Sequence, residues 1–433
     1  MINNTKKLHI GLVSLLILRD WSGVERVISQ LAGAMIKRGH SVSIIAQKPV
    51  GKISAAIPVF KLPETCNVIT VDLGSQQTLD LAREDLINAD FDVLVNVDAG
   101  PDSVVVPWLI ANRGIPLVNA EVISPDNLTN VRSTPYEHYG MLALADYTQI
   151  LVESYRQYYP SALNDRLVFV GNPVPPPKKI DHEKLKEKKK RTLLALGRLE
   201  DSQKNFSLLL RSWAILAPEF PDWSLKIVGD GPSLSFYKAL ADAIPNPRIT
   251  FTGAVKNTGE HYEQADLFCM PSRHEGFPLV LLEAASWGLP IVGMRSCLAV
   301  RDTIVPEMGA LAEEETPDSL AKTLRVLMNA SVDERYKKGL FAQHELCTKY
   351  EEESVFDKWE SLFVMAAKNK GKKVLDYPVN EKYSKEELAS QIALIERLQN
   401  TLDNEKAQRQ KMEILYEQIQ QKFKALAARK GRR

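Results

Sequence analysis

The chain has little cysteine and no pattern that would put it to use. Its four cysteines, Cys66, Cys269, Cys297 and Cys347, lie far apart among 433 residues without a Cys-x-x-Cys pair. That spacing implies neither a disulfide framework nor a zinc site, and leaves free thiols in a reducing compartment as the expectation. An excess of one charge is lacking too. The 55 Lys and Arg balance 54 Asp and Glu to a net charge of +1, which argues against nucleic acid bound through overall basicity. No apolar run reaches the roughly 20 residues that span a bilayer. A full Gly-x-Gly-x-x-Gly turn after the first apolar segment is also missing, so a dinucleotide site there is not expected.

What is present is an alternation. Leu8 to Leu16 reads as a buried parallel strand, and Ser22-Gly23 opens a helix with Val27, Ile28, Leu31, Ala32 and Met35 on one face. Lys6-Lys7 before this apolar segment has the look of a signal peptide. No small-residue cleavage site follows, however, and the strand reading is preferred. Further strands are expected at Ser41–Ala46, Phe91–Val97, Pro116–Ala120, Gln149–Val152 and Leu167–Val170. Asp90-Phe-Asp92 has the spacing of a metal-binding carboxylate pair, but a turn before a strand explains it more simply, and no metal is expected. Gly171-Asn-Pro-Val-Pro-Pro-Pro177 then interrupts regular structure, and a lysine-dominated run, residues 178–191, follows as a solvated linker. The alternation restarts with strands at Thr192–Leu196, Ser224–Val228, Ile249–Thr252 and Asp266–Met270 and helices at Phe206–Leu216, Leu234–Ala243, Ser319–Met328 and Glu351–Lys368. The expected fold class is α/β, with two Rossmann-like doubly wound domains facing a cleft and a long C-terminal helix. The expected divisions are residues 1–177, a linker at 178–191, a second domain at 192–350, a crossover helix at 351–369 and an amphipathic helix at 380–433.

The most informative stretch runs from Met270 to Val292. A buried strand ends at Pro271, and a loop carries Glu275-Gly276-Phe277. Pro278 stands where a first helical residue would be, and the helix closes at Gly288. Glu275 lies at the mouth of that helix, and Glu283 lies about two turns inside it. Between them the helix N-terminus offers unpaired N–H groups and a partial positive charge suited to phosphate. Taken alone, the two carboxylates would also suit a glycosidase. Gly197-Arg198 and Lys204 tip the balance. They follow a strand end, where doubly wound sheets meet ligands, and two cations beside a helix N-terminus suit a departing diphosphate.

These residues carry a resemblance to the family 4 retaining glycosyltransferases of GT-B fold, over about residues 8–368. Its most specific part is Glu275-Gly-Phe-Pro-Leu-Val-Leu-Leu-Glu283, similar to the family's glutamate-x7-glutamate motif. Ser22-Gly-Val-Glu-Arg26, Gly171-Asn-Pro-Val174, Gly197-Arg-Leu199 with Gln203-Lys-Asn-Phe206, and Ile227-Val-Gly-Asp-Gly-Pro232 support it in family order. The resemblance implies that Arg198 and Lys204 bind the donor diphosphate and that Glu275 bonds hydroxyls of the donor sugar. It implies that backbone amides of Gly276, Phe277, Leu279 and Val280 meet sugar and phosphate, that Glu283 holds the ribose, and that Gly23 faces the diphosphate across the cleft. It further implies retention by front-face attack, with neither metal nor cofactor. The chain departs from the family's pattern in having Ser22 where a second glycine is common and Glu121 where a histidine is common. Glu121 and His138 are secondary candidates near the substrates.

The implied activity moves a sugar from a UDP-hexose or UDP-N-acetylhexosamine to a glycan or lipid-linked glycan, in the setting of bacterial surface polysaccharide or lipopolysaccharide. A nucleotide-sugar epimerase or phosphorylase of the same fold, or an inactive scaffold, are the alternatives. After the capping box Ser384-x-x-Glu387, Leu388, Ile395, Leu402, Tyr416 and Phe423 form one heptad seam and Leu398, Met412, Ile419 and Leu426 its companion, with Glu405 and Arg409 interrupting the middle. Residues 384–428 are therefore expected to serve oligomerisation or partner docking. The expected location is cytoplasmic, with peripheral contact at the inner face of the plasma membrane through basic segments.

Overall fold

The computed structural model describes residues 6–372 apart from 16, 18–22, 49–61, 73–74, 98–104, 111–112, 126–141, 143 and 160. The expected amphipathic helix at 380–433 and its heptad seams lie outside the described residues, as does His138. The first domain contains β1 (His9–Val13), α1 (Gly23–Lys37), β2 (Ser41–Gln47), β3 (Asn67–Val71), α2 (Gln76–Asn88), β4 (Val93–Asn96), α3 (Val105–Ile110), β5 (Leu117–Ala120), β6 (Tyr147–Ile150) and β7 (Leu167–Phe169). Two 3-10 turns, Glu153–Tyr158 and Ser161–Arg166, join β6 to β7. The second begins with α4 (His182–Glu187), β8 (Arg191–Leu196), α5 (Asp201–Lys204), α6 (Phe206–Leu216), β9 (Trp223–Val228), α7 (Leu234–Asp242), β10 (Ile249–Phe251), α8 (Gly259–Gln264) and β11 (Leu267–Met270). It continues with α9 (Leu279–Ser286), β12 (Ile291–Met294), α10 (Leu298–Arg301), β13 (Gly309–Ala312), α11 (Pro317–Asn329), α12 (Val332–Lys349) and α13 (Glu352–Ala367).

Each domain is built on one parallel sheet. The first has the order β3-β2-β1-β4-β5-β6-β7 and the second β10-β9-β8-β11-β12-β13. Parallel strands covered by helices on both faces must be apolar on both faces, and β4, β5, β11 and β12 are buried at every residue. The outermost strands β3 and β10 are mostly exposed or half-buried. Strand order reverses between β1 and β4 in one sheet and between β8 and β11 in the other. The crevice at the carboxyl ends of strands beside such a reversal is where open α/β sheets take ligands.

Most expected elements coincide with the observed ones to within two residues, and the helix at Phe206–Leu216 does so at both ends. The strand expected at Gln149–Val152 lies two residues earlier, at Tyr147–Ile150. Pro278 caps α9 in an extended conformation, and Leu279 is the first helical residue, so Glu283 lies about one turn inside the helix and not two. Three expectations change more. Part of the lysine-rich linker is a helix, α4, capped by the Asp181 side chain on the Lys184 N–H. The β3–α2 unit and the eighteen-residue α12 were not anticipated. Helix α12 opens with a Ser331/Glu334 capping box, a signal present in the sequence. Strand β3 is mostly exposed and at the edge of its sheet, and with Asn67 and Thr70 among its five residues it lacks the unbroken apolar run of the buried strands.

Candidate active site

Helix α9 is the centre of the site, and its composition explains its place. Leu281, Leu282, Ala284, Ala285 and Ser286 are all buried, as befits a helix enclosed on most sides. Close approach by α12 contributes, because Gly339 lies where an added Cβ would come within 1.8 Å of the Gly288 carbonyl oxygen. Gly288 itself has φ +65°, the left-handed conformation that ends a helix. At the other end, no side chain caps the helix behind Pro278. The amides of Leu279 and Val280 thus open the helix with its positive dipole end toward the crevice.

The two glutamates flank this N-terminus, each 7% exposed. An ionised carboxylate at such depth needs charged or hydrogen-bonding partners. Glu275 accepts a hydrogen bond from Lys204 Nζ at 2.6 Å. Glu283 accepts one from the Arg26 guanidinium of α1 and another from the Tyr262 hydroxyl at 2.8 Å. Complete burial and the adjacent Glu283 carboxylate push the Tyr262 phenol well above its ordinary value, so it remains a donor.

Lys204 is held by a frame of loop contacts. It ends α5, and Asn205 turns the chain at φ 53°, a left-handed conformation asparagine tolerates. The lysine stem crosses Gly197, with Lys204 Cε 3.5 Å from where a Cβ would stand. The Arg273 N–H donates to the Gln203 carbonyl at 2.9 Å, and its guanidinium donates to the Asp201 carbonyl and to Glu315, each at 2.5 Å. Asn205 Nδ2 reaches Glu315 at 3.2 Å. Helix α5 and the β11–α9 loop are thereby fixed to each other. Arg198 stands apart. Its side chain is 65% exposed, with Glu200 3.7 Å away.

The first domain closes over the same loop. Tyr155, fully buried, donates from its hydroxyl to the Gly276 carbonyl at 3.0 Å and the Glu275 carbonyl at 3.3 Å. Asn172 donates to the Phe277 carbonyl at 3.0 Å, and the Phe277 ring packs on Tyr350. Gly276 touches the Val122 backbone so closely that a Cβ would stand 2.2 Å from its oxygen. Gly23, first residue of α1, lies 3.4 Å (from its Cβ position) from the Leu279 side chain. The first turns of α1 and α9 therefore meet, which brings two positive helix ends to one place.

The structure thus brings together Gly23, Lys204, Glu275, Gly276, Phe277, Leu279, Val280 and Glu283, and leaves Arg198 at the solvent-facing margin. Glu121, directly after β5, is fully buried and accepts from Asn119 and from Tyr159 at 3.2 Å. Asp90 and Asp92 precede β4, at the end of the sheet away from the crevice, and pair with Lys370 at 2.9 and 3.3 Å. Arg26, Tyr262 and Tyr155 are the site residues that sequence reasoning missed. Arg26 lay inside a quoted motif, whereas nothing local to Tyr262 or Tyr155 signals a role.

Two parallel-sheet Rossmann-like domains that meet across their strand carboxyl ends define the GT-B architecture. Pneumococcal O-GlcNAc transferase GtfA, solved in complex with UDP and GlcNAc, has a similar fold at TM-score 0.67 and 12% identity, over 83% of this chain and 99% of that chain. Residues 190–330 match the family Glycosyl transferases group 1. A glycosyltransferase of Haemophilus influenzae is 27% identical over 348 residues, which cover 78% of this chain and 96% of that protein. The phosphatidyl-myo-inositol mannosyltransferase of Mycobacterium tuberculosis is 26% identical over 338 residues, 72% of this chain and 86% of that one. Together these findings support a glycosyltransferase of group 1 type. Among the described residues, no helix is long and apolar enough to cross a membrane.

Proposed function

We propose that this chain is a retaining, metal-independent glycosyltransferase of family 4 that moves a sugar from a nucleotide-sugar to a glycan or lipid-linked glycan. The observation that carries this reading is the placement of Lys204–Glu275 and Glu283 on the two sides of the uncapped α9 N-terminus. A nucleotide-sugar has hydroxyls at both ends and a diphosphate between them, which is the complement of that arrangement. Glu275 takes hydroxyls of the transferred sugar, and Glu283 takes those of the ribose. The Leu279 and Val280 amides, the α1 N-terminus at Gly23 and the Lys204 ammonium receive the diphosphate. Arg198, exposed and long, swings onto the phosphates when donor is present.

The chemistry follows from charge. As the bond from sugar to diphosphate lengthens, negative charge gathers on the leaving oxygen. Lys204 and the helix amides stabilise it without reorganising, because they are already held in place. The acceptor hydroxyl attacks from the face the diphosphate leaves and passes its proton to the departing phosphate oxygen, so the bond to the acceptor replaces the bond to the diphosphate and the anomeric configuration is kept. The two domains supply orientation. The acceptor is a bacterial surface glycan or glycolipid, a suggestion that draws support from the names of the relatives.

A thermal-shift screen against UDP-, GDP- and ADP-sugars tests the donor assignment, since a ligand that binds only the folded state raises its melting temperature. The product made from the donor that responds is then read by NMR for anomeric configuration, with and without EDTA. Retention and full turnover in EDTA are expected. An inverted product or loss of turnover in EDTA would overturn the mechanism. An epimerised sugar released without acceptor would favour the epimerase.

A further inference from the structure

Arg26 belongs to the first domain and Glu283 to the second, 257 residues apart in sequence, yet the guanidinium donates directly to the buried carboxylate. The contact is part of a matched pair of helix turns. Gly23 and Arg26 are three residues apart on α1, and Leu279 and Glu283 are four apart on α9, so each pair lies on one helix face. Gly23 meets Leu279 and, one turn further, Arg26 meets Glu283. On the C-terminal-domain side, Tyr262 holds the other carboxylate oxygen at 2.8 Å. An ionised carboxylate has about four lone-pair sites. Among the described residues, Arg26 and Tyr262 take one on each oxygen and leave capacity on each for a further donor.

We propose that Arg26 is a positioning residue for nucleotide recognition, contributed by the opposite domain. With Tyr262 it fixes Glu283 so that the two remaining acceptor directions match two vicinal ribose hydroxyls. The ribose end of the site is therefore complete only when α1 lies against α9, and nucleotide binding favours the closed arrangement of the domains. This rests on the assignment of Glu283 to the ribose given above. Loss of Arg26 leaves the carboxylate in place but free to rotate, and the cost falls on ribose recognition and not on the chemistry at the sugar.

The test measures binding of UDP, GDP and ADP by calorimetry. The tightest of the three and its 2′-deoxy counterpart are then compared on wild type, Arg26→Gln, Arg26→Lys, Tyr262→Phe and Glu283→Ala, each checked for a cooperative melt. Wild type is expected to prefer the ribonucleotide by about 10-fold, the scale of a hydrogen bond to a charged group. Arg26→Gln is expected to reduce the preference to about 2-fold and to raise donor KM about 10-fold with kcat within about 3-fold, while Arg26→Lys restores part of both. An unchanged preference in Arg26→Gln would overturn the proposal. So would tighter nucleotide binding, which would make Arg26 a competitor for the carboxylate. If Glu283→Ala also keeps the full preference, the ribose assignment itself fails, an outcome distinct from failure at Arg26 alone. If wild type binds none of the three diphosphates, the functional reading and this proposal fall together.

Discussion

The Lys204–Glu275 pair shows how one side chain fixes another. Lys204 is 15% exposed and Glu275 7%, so removal of either leaves a charge with little water to replace its partner. Lys204→Met and Glu275→Ala are each expected to lower kcat by about 100-fold or more, the scale of losing one preorganised charge partner. A steady-state assay with the donor found by thermal shift reads this, and unaltered kcat in both variants would remove the pair from the site. Arg198 behaves differently because it is exposed and tied only loosely to Glu200. Arg198→Ala is expected to raise donor KM while leaving the melting temperature within about a degree, since surface substitutions usually stay within ±0.5 kcal/mol.

Among the elements, α9 is set by two close backbone approaches that separate stability from activity. Gly339 brings α12 against the Gly288 carbonyl within one domain. Gly339→Ala is expected to cost about 1–3 kcal/mol by overpacking, read as a lower urea midpoint with an unchanged slope. Gly276 meets the Val122 carbonyl across the domain boundary. Its alanine variant obstructs the meeting of domains, and the expected outcome is reduced turnover with a nearly unchanged midpoint. Equal effects of the two substitutions on stability would contradict this division.

Over the whole molecule, the last described helix returns to the first domain. Helix α13 packs on α1, β4 and β5 and buries Val355, Phe356, Trp359, Leu362 and Phe363. Its charged face meets Arg38, which pairs with Glu353, Asp357 and Glu360, and Glu360 also contacts His40 Nε2 at 3.0 Å. Beyond it Lys370 reaches Asp92, which also accepts the His9 N–H at 2.9 Å and Lys6 at 3.2 Å. Burial opposes ionisation of Asp92, but the His9 amide and the two lysines outweigh it and hold the carboxyl below its ordinary value. A carboxylate with a lowered native pKa adds stability above its unfolded pKa of about 4 and loses it as pH falls through the native value. Asp92→Asn is therefore expected to destabilise by about 1–2 kcal/mol at pH 7, with the gap to wild type closing below about pH 4. A gap that persists in denaturant titrations at a pH low enough for the native Asp92 carboxyl to be protonated, as read by NMR, would show that packing, not charge, sets the effect.

The alternation of apolar runs with helical faces was legible in the sequence because parallel strands buried on both faces cannot be written otherwise. Glu275 and Glu283 were legible as a pair because eight residues across a helix start fix their separation, and Gly288 and Pro278 marked that helix. Edge strand β3 escaped notice because exposure at the edge removes the pattern. The partners of the two glutamates belong to tertiary structure alone. Lys204 is 71 residues from Glu275, and Arg26 is 257 from Glu283; only the reversal of strand order in each sheet, and the meeting of the two sheets at those reversals, puts them in contact. Local sequence determined which elements form and which carry charge. Which charge answers which was decided by the topology that brings strand ends together.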